Sequence, residues 1–192
     1  MPRLVVVSDT HVPARARDLP APVWAAVDAL GPDDAVVHAG DWVDEATLDR
    51  LLARLAPAGV PLLACWGNND GPGLRGRLPE VARAVIGGVR VAVVHETGPT
   101  PGRDRRMADR YAADTDLLVF GHSHIPWDST ATAVDGSAVR LLNPGSPTDR
   151  RRQPTATWLS LTVADGTVSD VRLHHLPVRV VPQADARRHT AP

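Results

Sequence analysis

The sequence has few residues of several types, and each scarcity excludes a class of protein. There is one cysteine, Cys65, so an intramolecular disulfide and a metal site made of several cysteines are both excluded. Lysine is absent: all 21 basic residues are arginine, and with 22 acidic residues they give a formal net charge of −1. This balance argues against electrostatic binding of the whole chain to DNA or to an anionic membrane.

Long apolar runs are also missing. The first run, residues 4–7, is too short for the apolar region of a signal peptide and far too short for a membrane span. We therefore expect a cytoplasmic protein with no membrane partner. Because 43% of the 192 residues are hydrophobic, the chain can bury one substantial core. We expect a single domain over residues 1–181, followed by a flexible tail over 182–192, where apolar residues are few.

The first third of the chain alternates short apolar runs with helical patterns. The runs at residues 4–7, 35–38 and 61–65 predict strands that are buried on both faces. Between them, residues 22–30 and 44–56 have the composition and spacing of helices with one apolar face. This alternation predicts βαβ units and a sheet with parallel strands.

From about residue 81 the pattern becomes mostly β. Residues 81–86 and 89–94 flank two glycines and are typical of a β-hairpin. A helix is predicted at 105–113 and a buried strand at 117–120, and later strands at 127–134, 137–142, 155–163 and 167–175. The whole pattern predicts an α/β fold, a two-sheet β-sandwich flanked by helices.

Side chains that can bind metal ions recur where predicted strands end. They lie in five segments: Asp9-Thr10-His11, Gly40-Asp41, Gly67-Asn68-Asn69-Asp70, His95 and Gly121-His122-Ser123-His124. The carboxyl ends of strands form the ligand-binding edge of an open α/β sheet, so the segments are expected to converge there. We interpret each Asp-x-His or His-x-His pair as an extended segment that points two ligands the same way.

A single segment of this kind is weak evidence, because a lone histidine at a strand end is usually structural. All five segments in order, each after an apolar run, predict a metal site. The mixture of nitrogen and oxygen ligands suits divalent first-row transition ions better than Ca²⁺ or Mg²⁺.

Together the five segments resemble the signature of the calcineurin-like metallophosphoesterase superfamily, over residues 3–175. The short chain, and Asn143-Pro144-Gly145-Ser146 after the last segment, resemble its small bacterial and archaeal phosphodiesterase branch. The resemblance implies a four-layer αββα fold and a binuclear centre. It implies that the metal ligands are Asp9, His11, Asp41, Asn68, His95, His122 and His124.

The resemblance also divides these ligands between two ions. One ion would be held by Asp9, His11, Asp41 and His124, and Asp41 would bridge to a second ion held by Asn68, His95 and His122. The two carboxylates cancel two of four metal charges, so a bridging hydroxide leaves a net charge that suits one phosphodiester anion. Such a hydroxide would attack phosphorus while the ions hold the phosphoryl oxygens. We expect Mn²⁺ first, with Fe, Zn or Ni ions also compatible.

Two positions depart from the family pattern. Many members have histidine where this chain has Asn69, and an amide can donate a hydrogen bond but cannot protonate a leaving group. We therefore expect phosphodiesters with acidic leaving groups to be better substrates than monoesters. The second departure is Glu96, where glycine is usual; we favour a solvent-facing side chain over one near the second ion. The expected catalytic residues are Asp41, Asn68, Asn69 and His95.

Three groups of residues near the motifs have two interpretations each, a role in the site and a purely structural one. Trp42 could stack on a substrate ring, although core packing is the favoured interpretation. His38 could orient a ligand or be an ordinary buried histidine. The run Arg150-Arg151-Arg152 could neutralise a longer phosphate chain, although a solvated surface is favoured.

The function expected from the sequence is hydrolysis of small organic or nucleotide phosphodiesters. A nuclease of the same superfamily is a narrower alternative, which the chain length and net charge disfavour, so we do not expect a nucleic-acid partner. A different alternative is a non-catalytic scaffold like the retromer subunit of this fold. All seven ligands are present, which favours catalysis. A homodimer or tetramer is expected from the resemblance.

Overall fold

The computed structural model describes residues 1–177 and contains ten strands and four α-helices in that range. In chain order the strands are β1 (Arg3–Val7), β2 (Ala35–Ala39), β3 (Leu62–Cys65), β4 (Val81–Ile86), β5 (Val89–Val94), β6 (Leu117–Val119), β7 (Trp127–Thr132), β8 (Ala138–Asn143), β9 (Ala156–Ala164) and β10 (Thr167–Leu176). The helices are α1 (Ala21–Asp28), α2 (Glu45–Leu55), α3 (Pro72–Arg77) and α4 (Arg103–Tyr111).

The strands form two five-stranded sheets, with the orders β10-β9-β1-β2-β3 and β4-β5-β6-β8-β7. Three adjacent strands of each sheet are parallel: β1, β2 and β3 in the first, and β5, β6 and β8 in the second. The remaining strands pair antiparallel, β9 and β10 on one side of the first unit, and β4 and β7 on opposite sides of the second. Both sheets are therefore mixed.

Alternating side chains of β1 are buried on both faces of the first sheet. Leu4 and Val6 pack into the core between the two sheets, whereas Val5 and Val7 pack against the layer that holds α1 and α2. On the far side of the second sheet, Met107 and Tyr111 of α4 pack against its outer face. The result is helix, sheet, sheet and helix, which confirms the predicted four-layer αββα fold.

The predicted elements agree closely with the observed ones, with one omission. Helix α3 (Pro72–Arg77) was not predicted, because its six residues include proline and two glycines, which are poor helix formers away from a first turn. Helix α4 begins at Arg103, two residues before the predicted start. The predicted domain end at residue 181 and the tail over 182–192 lie outside the described residues.

The parallel strands direct six loops to the same edge of the sandwich. β1, β2 and β3 end there in one sheet, and β5, β6 and β8 end there in the other. Gly121 N, after β6, donates a hydrogen bond to the carbonyl of His95, after β5, over 3.1 Å. Among residues 1–177, no helix is long and apolar enough to cross a membrane.

Candidate metal centre

The loops after β1 and β6 bring three of the predicted ligands together. Single nitrogen or oxygen atoms of Asp9, His11 and His124 all lie within 4.8 Å of one another. The Nε2 atom of His124 lies 3.2 Å from His11 Nε2 and 3.3 Å from Asp9 Oδ1. His124 Nδ1 donates its proton to the carbonyl of Asp149, so in the neutral ring Nε2 presents a lone pair to these neighbours.

The loops after β2, β3 and β5 form a second cluster. His95 Nδ1 donates to the Ala39 carbonyl over 2.8 Å, so the lone pair of the neutral ring again lies on Nε2. That atom lies 2.9 Å from Asn68 Oδ1 and 3.4 Å from Asp41 Oδ1. Asn68 Oδ1 lies 2.8 Å from His122 Nδ1. Lone-pair atoms that converge in this way suit a divalent cation, and the donor set fits the group that the sequence predicts.

The carboxylate of Asp41 reaches both clusters. Its Oδ2 lies 3.5 Å from His11 Nε2, and its Oδ1 lies 3.4 Å from His95 Nε2. Asp9 also belongs to both clusters, since its carboxylate lies within 4.8 Å of ligand atoms of Asp41 and His95. Both carboxylates thus lie where the two clusters meet; the resemblance implies the bridging role for Asp41.

Burial and charge act in opposite directions on the pKa values of the site. Burial alone would raise the pKa of Asp41, but the protonated form of His95, through a hydrogen bond from Nε2 and its charge, and hydrogen bonds from Asn69 hold it well below its usual range. Burial lowers the pKa of His95, yet Asp41 and Asp9 outweigh it and the net shift is upward. Burial also lowers the pKa of His11, partly offset by the same two carboxylates. The site therefore keeps Asp41 ionised.

Five of the seven predicted ligands have left-handed backbone conformations, with φ between 44° and 68°: Asp9, His11, Asp41, His122 and His124. The predicted extended geometry of the Asp-x-His and His-x-His pairs is therefore wrong. Tight turns at the strand ends, and not the alternation of an extended chain, aim these side chains. Non-glycine residues in this region are uncommon and cluster at functional sites, where the surrounding structure holds them.

Two glycines are required by close contacts with these ligands. A Cβ atom on Gly67 would lie 2.3 Å from Asp41 N and Oδ1. One on Gly121 would lie 1.9 Å from Ser8 Oγ and 2.9 Å from Asp9 Oδ2. Glycine at these positions thus allows the loops after β3 and β6 to approach the carboxylates.

Three further residues hold the ligand loops, and the sequence pattern assigned them no role. Buried Asp70 accepts hydrogen bonds from the backbone of Gly67 (2.7 Å), Val43 (2.7 Å) and Asp41 (3.2 Å). Ser146 Oγ donates to the Asp9 carbonyl over 2.8 Å, and the Asp149 carbonyl accepts from His124. Asp70 and Ser146 belong to sequence motifs that resemble the family, and this membership could have indicated a role in the site. Asp149 lies outside these motifs, and nothing in the sequence indicated its role.

The residues with two sequence interpretations have distinct surroundings. Trp42 is 1% exposed, stacks on His38 and donates to the Cys65 carbonyl, so the packing interpretation is confirmed. His38 is fully buried, and its Nε2 lies 3.1 Å from Oγ1 of Thr10, the residue between two predicted ligands. The Glu96 side chain is 54% exposed, as expected, while its carboxylate lies 3.9 Å from His122 Nδ1.

Asn69 contacts the candidate bridging ligand directly. Its backbone N–H donates to Asp41 Oδ1 over 2.9 Å, and its side-chain amide donates to Asp41 Oδ2 over 2.6 Å. The residue is exposed and lines an open cleft beside His11. One amide proton of Asn69 remains available beside the Asp41 carboxylate.

Comparison with known proteins identifies the class that this fold and loop arrangement define. Residues 3–166 match the calcineurin-like phosphoesterase superfamily domain, and the chain belongs to that metal-dependent superfamily. A probable metallophosphoesterase of Methanocaldococcus jannaschii is 32% identical over 164 residues, 83% of this chain and 75% of that protein. One from Mycoplasma pneumoniae is 29% identical over 183 residues, 91% of this chain and 98% of that protein.

Solved structures show the same fold. The Thermotoga maritima protein TM1076 superimposes with a TM-score of 0.66 at 27% identity, covering 92% of this chain and 100% of that protein. A Vps29 from Entamoeba histolytica gives 0.64 at 23% identity, with 91% and 99% coverage. A protein described as a novel archaeal phosphodiesterase gives 0.62 at 19% identity, with 91% and 99% coverage. At these lower identities the likeness concerns the fold alone.

Proposed function

We propose that this protein is a binuclear metal-dependent phosphodiesterase that hydrolyses small organic or nucleotide phosphodiesters. One observation carries the proposal: two clusters of lone-pair atoms lie on either side of the Asp41 carboxylate, whose oxygens are 3.5 Å and 3.4 Å from a histidine nitrogen of each cluster. Such a pair of sites suits two transition-metal ions that share one carboxylate. Mn²⁺ is the ion that we propose first.

The two bound ions would lower the pKa of a shared water and neutralise phosphoryl oxygens. The chain's own groups keep the ligands ready for this. The carbonyls of Ala39 and Asp149 fix the tautomers of His95 and His124, so that Nε2 of each ring faces the centre. The carboxylate of Asp9 accepts a bifurcated hydrogen bond from the His122 backbone N–H, with distances of 3.1 Å and 3.0 Å to its two oxygens.

The amide of Asn69 supports the preference for diesters. It lies at the exposed rim of the centre and is oriented by Asp41, so its second amide proton can be donated to a phosphoryl or leaving-group oxygen. An amide cannot transfer that proton, however, and a poor leaving group gains nothing from it. Phosphodiesters with acidic leaving groups are therefore the expected substrates.

The proposal is tested by assaying bis(p-nitrophenyl) phosphate with Mn²⁺-loaded protein. Replacing Asp41 by alanine removes the candidate ligand between the clusters, and we expect kcat/KM to fall by more than about 100-fold. Mutation of a residue that only hydrogen-bonds to a metal ligand already lowers metal affinity or activity by about 10–100-fold. The matched control is Asp33→Asn, at an exposed position of the α1–β2 connection, which should keep full activity.

The competing function is a non-catalytic scaffold of the same fold. The seven candidate ligands favour catalysis, since a scaffold has no need of them. Metal-loaded protein that is inert toward diesters, and whose behaviour Asp41→Ala leaves unchanged, would favour the scaffold and contradict our proposal.

A further inference from the structure

An open cleft of about 530 Å³ lies beside one half of the candidate metal centre. Its lining residues include His11 and Asn69 from the centre, together with Arg15, Asp149 and Arg151. Two guanidinium groups and one carboxylate give this lining a net charge of +1. The lining of the cleft outside the candidate metal ligands therefore carries a net positive charge, although the chain as a whole has a net charge of −1.

Both arginines are attached directly to the ligand loops. The backbone N–H of Arg15 donates to the His11 carbonyl over 2.8 Å, and its guanidinium Nε lies 3.7 Å from Asp149 Oδ2. Arg151 donates from Nη1 to the His122 carbonyl over 3.2 Å. Each guanidinium keeps further N–H groups, because the fork has five donors. The backbone of Arg15 and the side chain of Arg151 are thus each hydrogen-bonded to a loop that carries a candidate metal ligand.

The other side of the centre has the opposite charge. A smaller recess of about 170 Å³ borders Asn68 and His95 and includes Glu80, Glu96 and Arg110. Two carboxylates and one guanidinium give it a net charge of −1, and Trp66 and Tyr111 line it as well. An anionic arm of a substrate would be repelled from this recess and attracted to the cleft lined by Arg15 and Arg151, which we call the arginine cleft.

We propose that Arg15 and Arg151 form an anion subsite, so that the preferred diesters carry a second anionic group on one arm. This inference rests on the proposed phosphodiesterase function and names its substrate class. The scissile phosphodiester occupies the candidate metal centre, and the arm that ends in a phosphate or a carboxylate extends over His11 and Asn69 into the cleft. Bidentate hydrogen bonds from guanidinium forks recognise both kinds of anion.

The test uses p-nitrophenyl phosphodiesters that differ only at the end of an alkyl arm: a carboxylate, a phosphonate or a neutral carboxamide. For the Mn²⁺-loaded enzyme we expect kcat/KM to be higher for both anionic esters than for the carboxamide, and this preference to weaken as salt is added. Arg15→Gln and Arg151→Gln should each lower the anionic-to-neutral ratio by about twofold to fivefold, as for an ion pair at an exposed site.

The control variant is Arg152→Gln, an exposed arginine next to Arg151 in sequence but outside the cleft lining, which should keep the wild-type ratio. A merely structural effect of the Arg15 or Arg151 variants would lower the rates on all esters together and leave the ratio unchanged. A ratio near one in the wild type, or one that neither variant changes, overturns the subsite. If only the phosphonate ester is preferred, the subsite takes phosphate and the carboxylate is ruled out.

A second readout is independent of turnover. Calorimetry measures the affinities of stable methylphosphonate analogues of the same esters, and the anionic analogues should bind more tightly in the wild type but not in the Arg15→Gln, Arg151→Gln double variant. An enzyme that is inert on every ester yet shows this difference in affinity contradicts the proposed function and keeps the subsite. Equal affinities overturn the subsite whatever the activity.

Discussion

At the scale of single residues, strained backbone aims the candidate ligands. A left-handed conformation at a non-glycine residue costs about 1–3 kcal/mol, and five predicted ligands adopt it. Hydrogen bonds between neighbouring loops stabilise these strained conformations: Asp9 N donates to the Gly40 carbonyl over 2.9 Å, and His11 N to the Asp41 carbonyl over 3.0 Å. The ligands are therefore placed before any ion binds, which lowers the entropy lost on binding.

Replacing Asn69 by histidine should shift specificity toward monoesters. The new imidazole would stand beside Asp41, where the amide now donates its hydrogen bond, and a protonated ring can supply a proton to a poor leaving group. We expect the ratio of monoester to diester kcat/KM to rise by about tenfold, the lower part of the range for general acid catalysis. An Asn69→Gln variant, which keeps an amide, is the control, and an unaltered ratio in Asn69→His would contradict our account of this position.

His38 should make the folded state sensitive to acid. Burial holds the pKa of His38 well below the ordinary value of 6.5, so below that pH the unfolded chain binds a proton that the folded protein does not. The free energy of unfolding should therefore fall as pH decreases from about 6.5, with a slope from this group of up to about 1.4 kcal/mol per pH unit.

Urea denaturation of chelator-treated protein at pH 7 and pH 5 measures this effect. His38→Gln removes the titrating ring and should lessen the loss of stability between the two pH values. His11 and His95 also titrate in the folded protein, but they are present in both proteins and their contributions largely cancel in the comparison. An equal acid loss in wild type and variant would mean that His38 does not remain neutral.

At the scale of elements, two glycines in different environments should respond to alanine in opposite ways. A Cβ at position 121 would lie 2.7 Å from the Ala39 carbonyl oxygen, so backbone atoms must move beside Asp9. Gly121→Ala should therefore destabilise the fold by about 1–3 kcal/mol, as overpacking does, and weaken metal binding. A Cβ on Gly76, in α3, would meet no atom of the described residues within 4 Å, so Gly76→Ala should stabilise by about 0.5–1 kcal/mol.

Chemical denaturation measures both variants, and metal binding by calorimetry separates them further. Gly76→Ala should bind Mn²⁺ as the wild type does, because α3 contributes none of the seven candidate ligands. Equal stability of the two variants would show that the loop after β6 tolerates a side chain and that its close approach to Asp9 is not required.

The elements that the sequence predicted are those with a repeated physical signal. Buried parallel strands such as β1 and β2 require apolar residues on both faces, and this produces the short continuous runs that identify them. Helix α3 lacks such a signal, because only Leu74 of its six residues is buried. The parallel order of the strands likewise predicted that the ligand segments share one edge. The left-handed turns within those segments could not be predicted, because Asp and His also occur in many other backbone conformations.

At the scale of the whole molecule, metal binding should raise thermal stability. At a free Mn²⁺ concentration of 100 times Kd, one binding event stabilises the folded protein by about 2.7 kcal/mol. For a chain of this size each kcal/mol corresponds to about 2–4 °C, so Tm should rise by about 5–10 °C for each ion bound at that concentration. Asp41→Asn should lose most of this increase and Asp33→Asn should retain it; a rise of equal size in both would locate metal binding elsewhere.

The charge distribution also belongs to this scale. The chain is nearly neutral overall, and its local excess of positive charge in the arginine cleft lies beside the candidate metal centre, whereas the recess on the other side is acidic. We expect small anions to be attracted to one side of the centre, as the proposed phosphodiesterase function requires.

The most direct test of the binuclear phosphodiesterase is a titration of Mn²⁺ into chelator-treated protein while hydrolysis of bis(p-nitrophenyl) phosphate is followed. Elemental analysis of the desalted protein gives the bound metal at each point. We predict that activity appears as the metal is added and reaches its maximum at two ions per chain. Maximal activity at one ion, or two bound ions with no hydrolysis, would contradict the proposal.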